Sequence, residues 1–365
     1  MIFFSYEFVI FFLLVLGIRA FFPHAVTLIV LSVGFYVFFG SFVGLCVLLG
    51  LALVGTYLSP ILAIIVSATV LLIFKYTNFF AELVIGNNQV LDMPFILGLS
   101  FFAFEIIQYS AQKLSNSKFD TSRTTFFNFV TFFPTMIAGP IKRIEGFKFK
   151  KFSDSQKLRL LLMLLLGILL KYLADNISGW IDILGGLYFH SPRLSDKAIL
   201  ILALGFRIYF DFSGFSMIAI ALAGFLGYEV PANFRNPYVA TNLIDFWRRW
   251  HISLSTWIRD YLYIPLGGSN KKFRNILIAM TICGLWHGAG LNFVIWGLVH
   301  GCGLCINHYF RGKNFKVPLT GLWGGCISFI LSVASWFITQ AFVFCLWVPF
   351  FYSIDQTLNF FGLGP

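Results

Sequence analysis

Residues 198–226 read AILILALGFRIYFDFSGFSMIAIALAGFL. A crossing helix needs about 20 mostly apolar residues, and this run is longer than that while carrying only two charges, Arg207 and Asp211. Outward from it, apolar runs recur at 2–17, 25–58, 61–74, 95–111, 160–173, 276–310 and 322–351. The whole chain is 59% hydrophobic and 11% charged, with a mean hydropathy of +0.85, whereas a soluble domain is about 25% charged. No soluble core of 365 residues hides that much apolar surface. The reading is an all-α, polytopic transmembrane protein with roughly nine to eleven membrane elements, short and re-entrant ones included. Residues 1–7 hold no Lys or Arg and no small-residue cleavage pattern follows, so the first run reads as a retained helix and not a removable signal peptide.

Lys and Arg number 26 against 15 Asp and Glu. In a soluble protein that excess raises nucleic acid as a partner; here it reads as orientation, because basic residues collect in cytoplasmic loops. They cluster at 113–123, 142–159, 235–274 and 311–316. The first two clusters flank the apolar run 126–141, which contains Pro134, Gly139 and Pro140. If both clusters are cytoplasmic, that run dips in and returns on one side, and its prolines remove amide donors and bend the path. Irregular backbone at membrane depth survives only where protein or a watery cavity surrounds it. Parity then carries 160–173 outward and 198–226 back. The polar segment 229–275 mixes Arg and Lys with Trp247, Trp250, Trp257 and Tyr261, as a membrane interface requires. A hairpin of two crossings follows, from 276 to about 290 and from 291 to 310. Neither a linker nor a solenoid repeat divides the chain, which reads as one domain, 1–365: N-terminal spans at 1–112, a motif-bearing core at 113–310 and a C-terminal span at 311–365.

Polar groups inside the apolar body are the candidates for chemistry. Either charge of Arg207 and Asp211, alone at the bilayer centre, costs about 2.5–3.5 kcal/mol on insertion scales. Their i,i+4 spacing allows them to pair on one helix face, either as an internal tie or as the lining of a reaction cavity. Glu105, within 95–111, has no obvious local partner. His287 stands in CGLWHGAG (283–290), where an imidazole needs a polar partner or a cavity, and Gly284 with Gly288 forms a small-xxx-small pair suited to close helix approach. The pattern recurs at 297–301 with His300. His251 closes the string FWRRWH (246–251), with Arg248, Arg249 and Trp250, and is followed by Arg259 and Tyr261. Its bland reading is an interfacial helix. Its functional reading has arginines attracting a phosphorylated or carboxylated donor below a histidine.

The six cysteines are scattered through apolar runs, which argues against a disulfide framework. Cys302 and Cys305, flanked by His300 and His308, spread over about 200° and about 12 Å of a helix, too far for one ion, so no metal is expected. There is no G-x-S-x-G elbow, H-E-x-x-H, Walker A or G-x-G-x-x-G.

At FKYTNFF (74–80), FFP through AGPI (132–141), 171–176, YFDFSG (209–214), NFRNPY (233–238), 245–268 and 284–301 the sequence resembles the membrane-bound O-acyltransferase family. The similarity is to its bacterial branch of alginate O-acetylation proteins, peptidoglycan O-acetyltransferases and the D-alanyl transfer protein of teichoic acids. The resemblance implies a ring of helices with re-entrant segments around a central funnel. It also implies a central catalytic role for His287 and a second functional position at His251. For Asp211, Arg249 and Tyr261 it implies importance without a specific step. Arg248, Trp250, Trp286, Asn236, Arg259 and His300 are the further binding or site-supporting candidates. Two departures stand out: SAQK (110–113) replaces an Asp-Val-Tyr-Arg-like stretch, and alginate-type relatives continue with further helices beyond the position of Pro365, which implies altered partner docking.

The implied activity is acyl transfer, acetyl in the first instance, from a cytoplasmic thioester to a hydroxyl of an envelope polysaccharide or an extracytoplasmic partner. Acetyl-coenzyme A or an acyl-carrier thioester would be donor substrate, with no bound cofactor. Basic residues around 248–274 would attract its phosphates. The expected setting is the bacterial inner membrane, with membrane lipid, the cytoplasmic donor and an acetyltransferase- or esterase-like extracytoplasmic protein as partners, and no nucleic acid. D-alanyl transfer from a carrier protein is the alternative chemistry, and a non-enzymatic transporter the alternative class.

Overall fold

Helix follows helix along the chain in a computed structural model that describes residues 5–22, 24–85, 92–116, 119, 121–312 and 322–364. The helices are α1 (Tyr6–Phe21), α2 (Ala25–Phe39), α3 (Phe42–Tyr57), α4 (Pro60–Ile85), α5 (Leu99–Ser115), α6 (Arg123–Thr131), α7 (Asp154–His190) and α8 (Leu194–Phe225). Then come the short α9 (Leu243–Trp247) and α10 (Ile252–Ile258), the pair α11 (Lys272–His287) and α12 (Leu291–Gly312), and finally α13 (Leu322–Cys345), α14 (Trp347–Phe351) and α15 (Ile354–Phe360). The described residues form no strand, only one isolated bridge between Phe149 and Tyr228. The chain is thus all-α, as its hydropathy requires. The basic positions 313–316 and the first four residues of the chain lie outside the described residues.

Among the described residues, five segments are long and apolar enough to cross a membrane: Pro60–Val84, Asp154–His190, Leu194–Phe225, Leu291–Arg311 and Cys326–Phe351. Their outward faces carry large apolar side chains, among them Leu162 and Leu165 on α7 and Phe329, Phe337 and Ile338 on α13. Water would penalise such faces; lipid does not. The remaining expected elements are shorter: α1 and α3 have 16 residues each, α2 has 15, α5 has 17 and α11 has 16.

Contacts divide the chain into two units. The first comprises Met1–Leu166 and Phe215–Pro231, the second Gly167–Gly214 and Ala232–Pro365, so α7 and α8 each contribute a part to both. In the first unit the run 126–141 is no straight helix. α6 stops at Thr131, a 3₁₀ turn covers Phe133–Thr135 around Pro134, and the chain then runs on without helix through Gly139, whose φ is +145°. A Cβ at Gly139 would meet the Ala219 side chain at 2.8 Å and would demand a backbone conformation L residues rarely adopt. Just beyond this turn lies the partner that Glu105 lacks in local sequence. Lys142, buried like Glu105, pairs with it and also lies 4.7 Å from the Phe129 ring centre. The broken segment is therefore pinned by a buried ion pair, where loss of one partner would leave a bare charge.

In the second unit α11 and α12 form the expected hairpin. A Cβ at Gly284 would fall 2.1 Å from the Phe293 carbonyl oxygen, and one at Gly297 2.2 Å from the Met280 carbonyl oxygen. Glycine is required at both crossings, because the obstructing atoms are backbone. α7 and α8 approach similarly at Gly214, whose Cβ would lie 2.8 Å from the Gly167 carbonyl oxygen. That approach decides the pairing of Asp211. It does not pair with Arg207, as the i,i+4 spacing allowed, but with buried Lys171 of α7 at 3.0 Å. Lys171 also pairs with Asp175, while the Arg207 guanidinium lies 4.9 Å from the centre of the Phe351 ring.

Candidate active site

α11 runs from its basic start at Lys272 to His287 at its last position, about 22 Å along the axis at 1.5 Å per residue. Gly288 is extended and ends the helix, leaving the imidazole half-buried. Four rings surround it: Trp286 at 5.0 Å between centres, Phe350 at 5.1 Å, Trp296 at 5.3 Å and His251 at 6.1 Å. Trp296 comes from α12. Phe350 comes from α14, which is tied to α12 where the Asn292 amide donates to the Pro349 carbonyl at 3.1 Å.

His251 reaches this cluster through strained backbone. It caps α10 in the left-handed region, with φ of 41°, a conformation that costs a non-glycine residue about 1–3 kcal/mol. Asn233 supports the strain. Its carbonyl oxygen accepts the Ser253 amide at 3.3 Å and the Ser253 hydroxyl at 2.6 Å, and lies 3.3 Å from His251 Nδ1. Ile252 N–H also donates to the Asn233 backbone carbonyl at 2.9 Å. Because the Ser253 amide fixes that oxygen as acceptor, Nδ1 of His251 carries the proton and Nε2 the lone pair. The ring is wholly buried between Phe212 at 4.5 Å and Trp286 at 5.3 Å, and Nε2 has no partner. Burial and the neighbouring His287 hold the His251 ring well below the ordinary imidazole pKa, so it is neutral at pH 7.

A cavity of about 150 Å³ lies farther down α11, lined by Trp247, Arg259, Met280, Cys283 and Leu304 among others. Ile276, Met280, Cys283 and His287 recur at four- and three-residue steps, so the cavity wall and the imidazole share one helix face. The lining includes Ser255, Arg259 and Tyr263, yet the surface that faces the cavity is almost wholly apolar. A turn of π-helix at Arg259–Tyr263 follows α10, a feature frequent at functional sites.

The structure brings His287, His251 and Trp286 together. Wholly buried His300 stands one ring further in, 4.7 Å from Trp296 and 5.2 Å from Trp247. Trp250 belongs to an aromatic layer with Phe246, Tyr238 and Trp347. Arg249 is a loop clamp: its Nε lies 2.9 Å from Asp245 and its Nη1 donates to the Arg235 carbonyl at 3.2 Å. Arg259 pairs with adjacent Asp260 at 2.8 Å, and Tyr261 lies against Trp257. Asn236, exposed and with φ of 47°, makes a turn before Pro237, and Arg248 is exposed. Asn233, Trp296 and Phe350 were not singled out from sequence. Asn233 lies in the NFRNPY stretch, and Trp296 is one turn before His300, a spacing that could have drawn notice. All six cysteines are free thiols, and no group of three or more His, Cys, Asp or Glu among the described residues is placed to hold a metal ion.

A helical membrane protein with two histidines meeting in an aromatic cluster defines the class, and comparison with known proteins supplies the family. The membrane-bound O-acyltransferase family pattern matches residues 27–348. A probable alginate O-acetylase AlgI from Pseudomonas aeruginosa is 35% identical over 305 residues, covering 77% of this chain and 57% of the relative. A peptidoglycan O-acetyltransferase from Helicobacter pylori is 32% identical over 335 residues, covering 80% and 61%. A teichoic acid D-alanyltransferase from Streptococcus thermophilus is 30% identical over 256 residues, covering 63% and 60%. The chain belongs to the membrane-bound O-acyltransferase family and is an integral membrane protein. It spans 57% of the length of the AlgI relative.

Proposed function

We propose that this protein is an O-acyltransferase that moves an acetyl group from a cytoplasmic thioester to a hydroxyl of an envelope polysaccharide, or of an extracytoplasmic partner, at the bacterial inner membrane. The observation that carries the reading is the meeting of His287 with a second imidazole, at 6.1 Å between ring centres, at the far end of a helix whose first residue is a lysine of the basic segment. His287 takes the proton of the attacking hydroxyl, a role typically worth 10²–10⁴ in rate. His251, neutral and oriented by Asn233, offers its Nε2 lone pair to a hydroxyl arriving in the chamber and orients it. Attack on the thioester carbonyl forms the ester C–O bond. The C–S bond then breaks, and the departing thiolate recovers the proton from His287 as a thiol.

Two features favour acetyl over D-alanyl. Identity to the two O-acetylating relatives, 35% and 32%, exceeds the 30% to the D-alanyl enzyme, and the cavity farther down α11 presents almost wholly apolar surface, which disfavours an acyl group bearing an ammonium. The donor is acetyl-coenzyme A or an acetylated carrier, whose phosphates suit the basic segment 248–274. The test measures ester-linked acetate released by mild base from envelope polymers of cells carrying wild-type protein or His287→Ala. Loss of acetate with normally inserted variant is expected; normal ester content with inserted His287→Ala overturns the assignment.

A further inference from the structure

Acyl transfer through a tetrahedral intermediate needs more than a base. The carbonyl oxygen becomes an anion, and a preorganised donor aimed at that charge is usually the largest single contribution to the rate. Nothing described so far supplies one. His251 gives its N–H to Asn233 and Phe350 has no polar atom; of the two indoles against His287, Trp286 is only half-buried and packs on His251.

Trp296 is different. Its ring meets His287 at 5.3 Å and 83°, nearly edge to face. It is wholly buried, and its Nε1–H has no acceptor. An indole nitrogen only donates, so burying it without an acceptor is costly unless something else provides one. Four further rings hold it in place: His300 at 4.7 Å, Phe350 at 5.4 Å, Trp247 at 5.8 Å and Trp347 at 5.9 Å between centres. The next residue, Gly297, locks α12 onto α11 through a backbone approach that admits no side chain.

Resting on the reading of His287 as base, we propose that the Trp296 indole N–H is the oxyanion donor of the acyl transfer. The hydroxyl oxygen attacks the thioester carbon as its proton passes to His287, and the carbonyl π electrons move onto oxygen. That oxyanion takes the hydrogen bond from Trp296 Nε1–H. When the intermediate collapses, the electrons return, the C–S bond breaks, and the sulfur leaves as thiol with the proton from His287. A substrate hydroxyl shared by base and carbonyl places the carbonyl about 3–3.5 Å beyond the attacking oxygen, and the Trp296 ring is in edge contact with that base, 5.3 Å between centres. The wholly buried His300 ring, whose two nitrogens also lack partners, packs on Trp296 at 4.7 Å between centres.

The test uses the purified full chain in lipid nanodiscs, with acetyl-coenzyme A as thioester probe, a mannuronate oligosaccharide as acceptor, and thiol release as the readout. Trp296→Phe keeps the ring and loses the donor; kcat should fall by about 10²–10³ with KM for the thioester unchanged and the pH profile keeping its shape. Trp296→Tyr returns a donor and should recover at least part of that loss. Benzothienylalanine at 296 is nearly isosteric with tryptophan, lacks the N–H, and should match the phenylalanine variant without any loss of thermal stability. Full activity of the benzothienyl protein would show that the ring only packs, and would overturn the proposal. An equal deficit in the Tyr and Phe variants with a fully active benzothienyl protein overturns it in the same way. His287→Ala, run alongside, separates the two claims. If it is inactive while the benzothienyl protein is unimpaired, the oxyanion role alone fails; if it is active, the function proposed above fails.

Discussion

Replacement of Gly297 by alanine tests whether the helix crossing sets the site geometry. The new Cβ would lie 2.2 Å from the Met280 carbonyl oxygen and 3.0 Å from its carbon. Restoring an ordinary contact of 3.4 Å means opening the crossing by about 1 Å, since neither atom belongs to a movable side chain. Met280 lies two turns before His287 on α11, and Gly297 follows Trp296 on α12, so the opening passes directly into the His287–Trp296 contact. A displacement of about 1 Å at a catalytic contact costs about 10²-fold in rate, or about 2.7 kcal/mol at 1.36 kcal/mol per decade. Overpacking of this kind also destabilises by about 1–3 kcal/mol. The assay is thiol release from acetyl-coenzyme A by nanodisc protein, read beside a thermal unfolding curve. Gly301→Ala, whose Cβ would meet Met280 Cβ at 3.2 Å, should do less. Gly34→Ala, with nothing within 4 Å, should leave activity unchanged. Wild-type rate and stability in Gly297→Ala would refute the argument that this close approach fixes the site.

Other consequences follow from the supporting contacts. Lys142→Met leaves Glu105 buried without its cation and should destabilise by about 3–5 kcal/mol in thermal unfolding, whereas the double variant with Glu105→Gln should recover most of the loss. Asn233→Leu removes the acceptor that orients His251 and Ser253; a fall in kcat of about 10–100-fold is expected, by analogy with lost supporting partners elsewhere, with Tm lowered as the left-handed turn relaxes. Stability should also depend on pH through His251. Its folded pKa is depressed, so below the unfolded value of about 6.5 the unfolded chain binds a proton that the folded chain refuses, and stability falls as pH falls. His251→Gln should flatten that limb of a Tm-versus-pH curve; an unchanged limb would remove His251 as its source.

Much of this was legible in the sequence because bilayers impose length and hydropathy directly. The long apolar runs became helices, the prolines of 126–141 broke their helix, and the glycines of 284–301 marked a close crossing. His287 stood out because imidazoles are rare in apolar surroundings, and His251 because it closes the Arg- and Trp-rich string 246–251. What stayed hidden depends on partners distant in sequence. Glu105 and Lys142 are joined only when the turn after Pro140 folds back. Spacing suggested Arg207 for Asp211, but Gly214 lets the α7 backbone in so closely that Lys171 arrives first. Asn233 gives no sign of its clamp until the chain turns left-handed at His251. Trp296 reads like any interfacial tryptophan until its N–H is found buried without an acceptor.

The role proposed for His287 is that of base in the acyl transfer. Its most direct measurement is the single-turnover rate of acetyl movement from radiolabelled acetyl-coenzyme A to a hydroxyl acceptor, in proteoliposomes holding equal amounts of wild type and His287→Ala with matched unfolding temperatures. A drop of about 10²–10⁴ is predicted. Transfer at the wild-type rate by the alanine protein would contradict it.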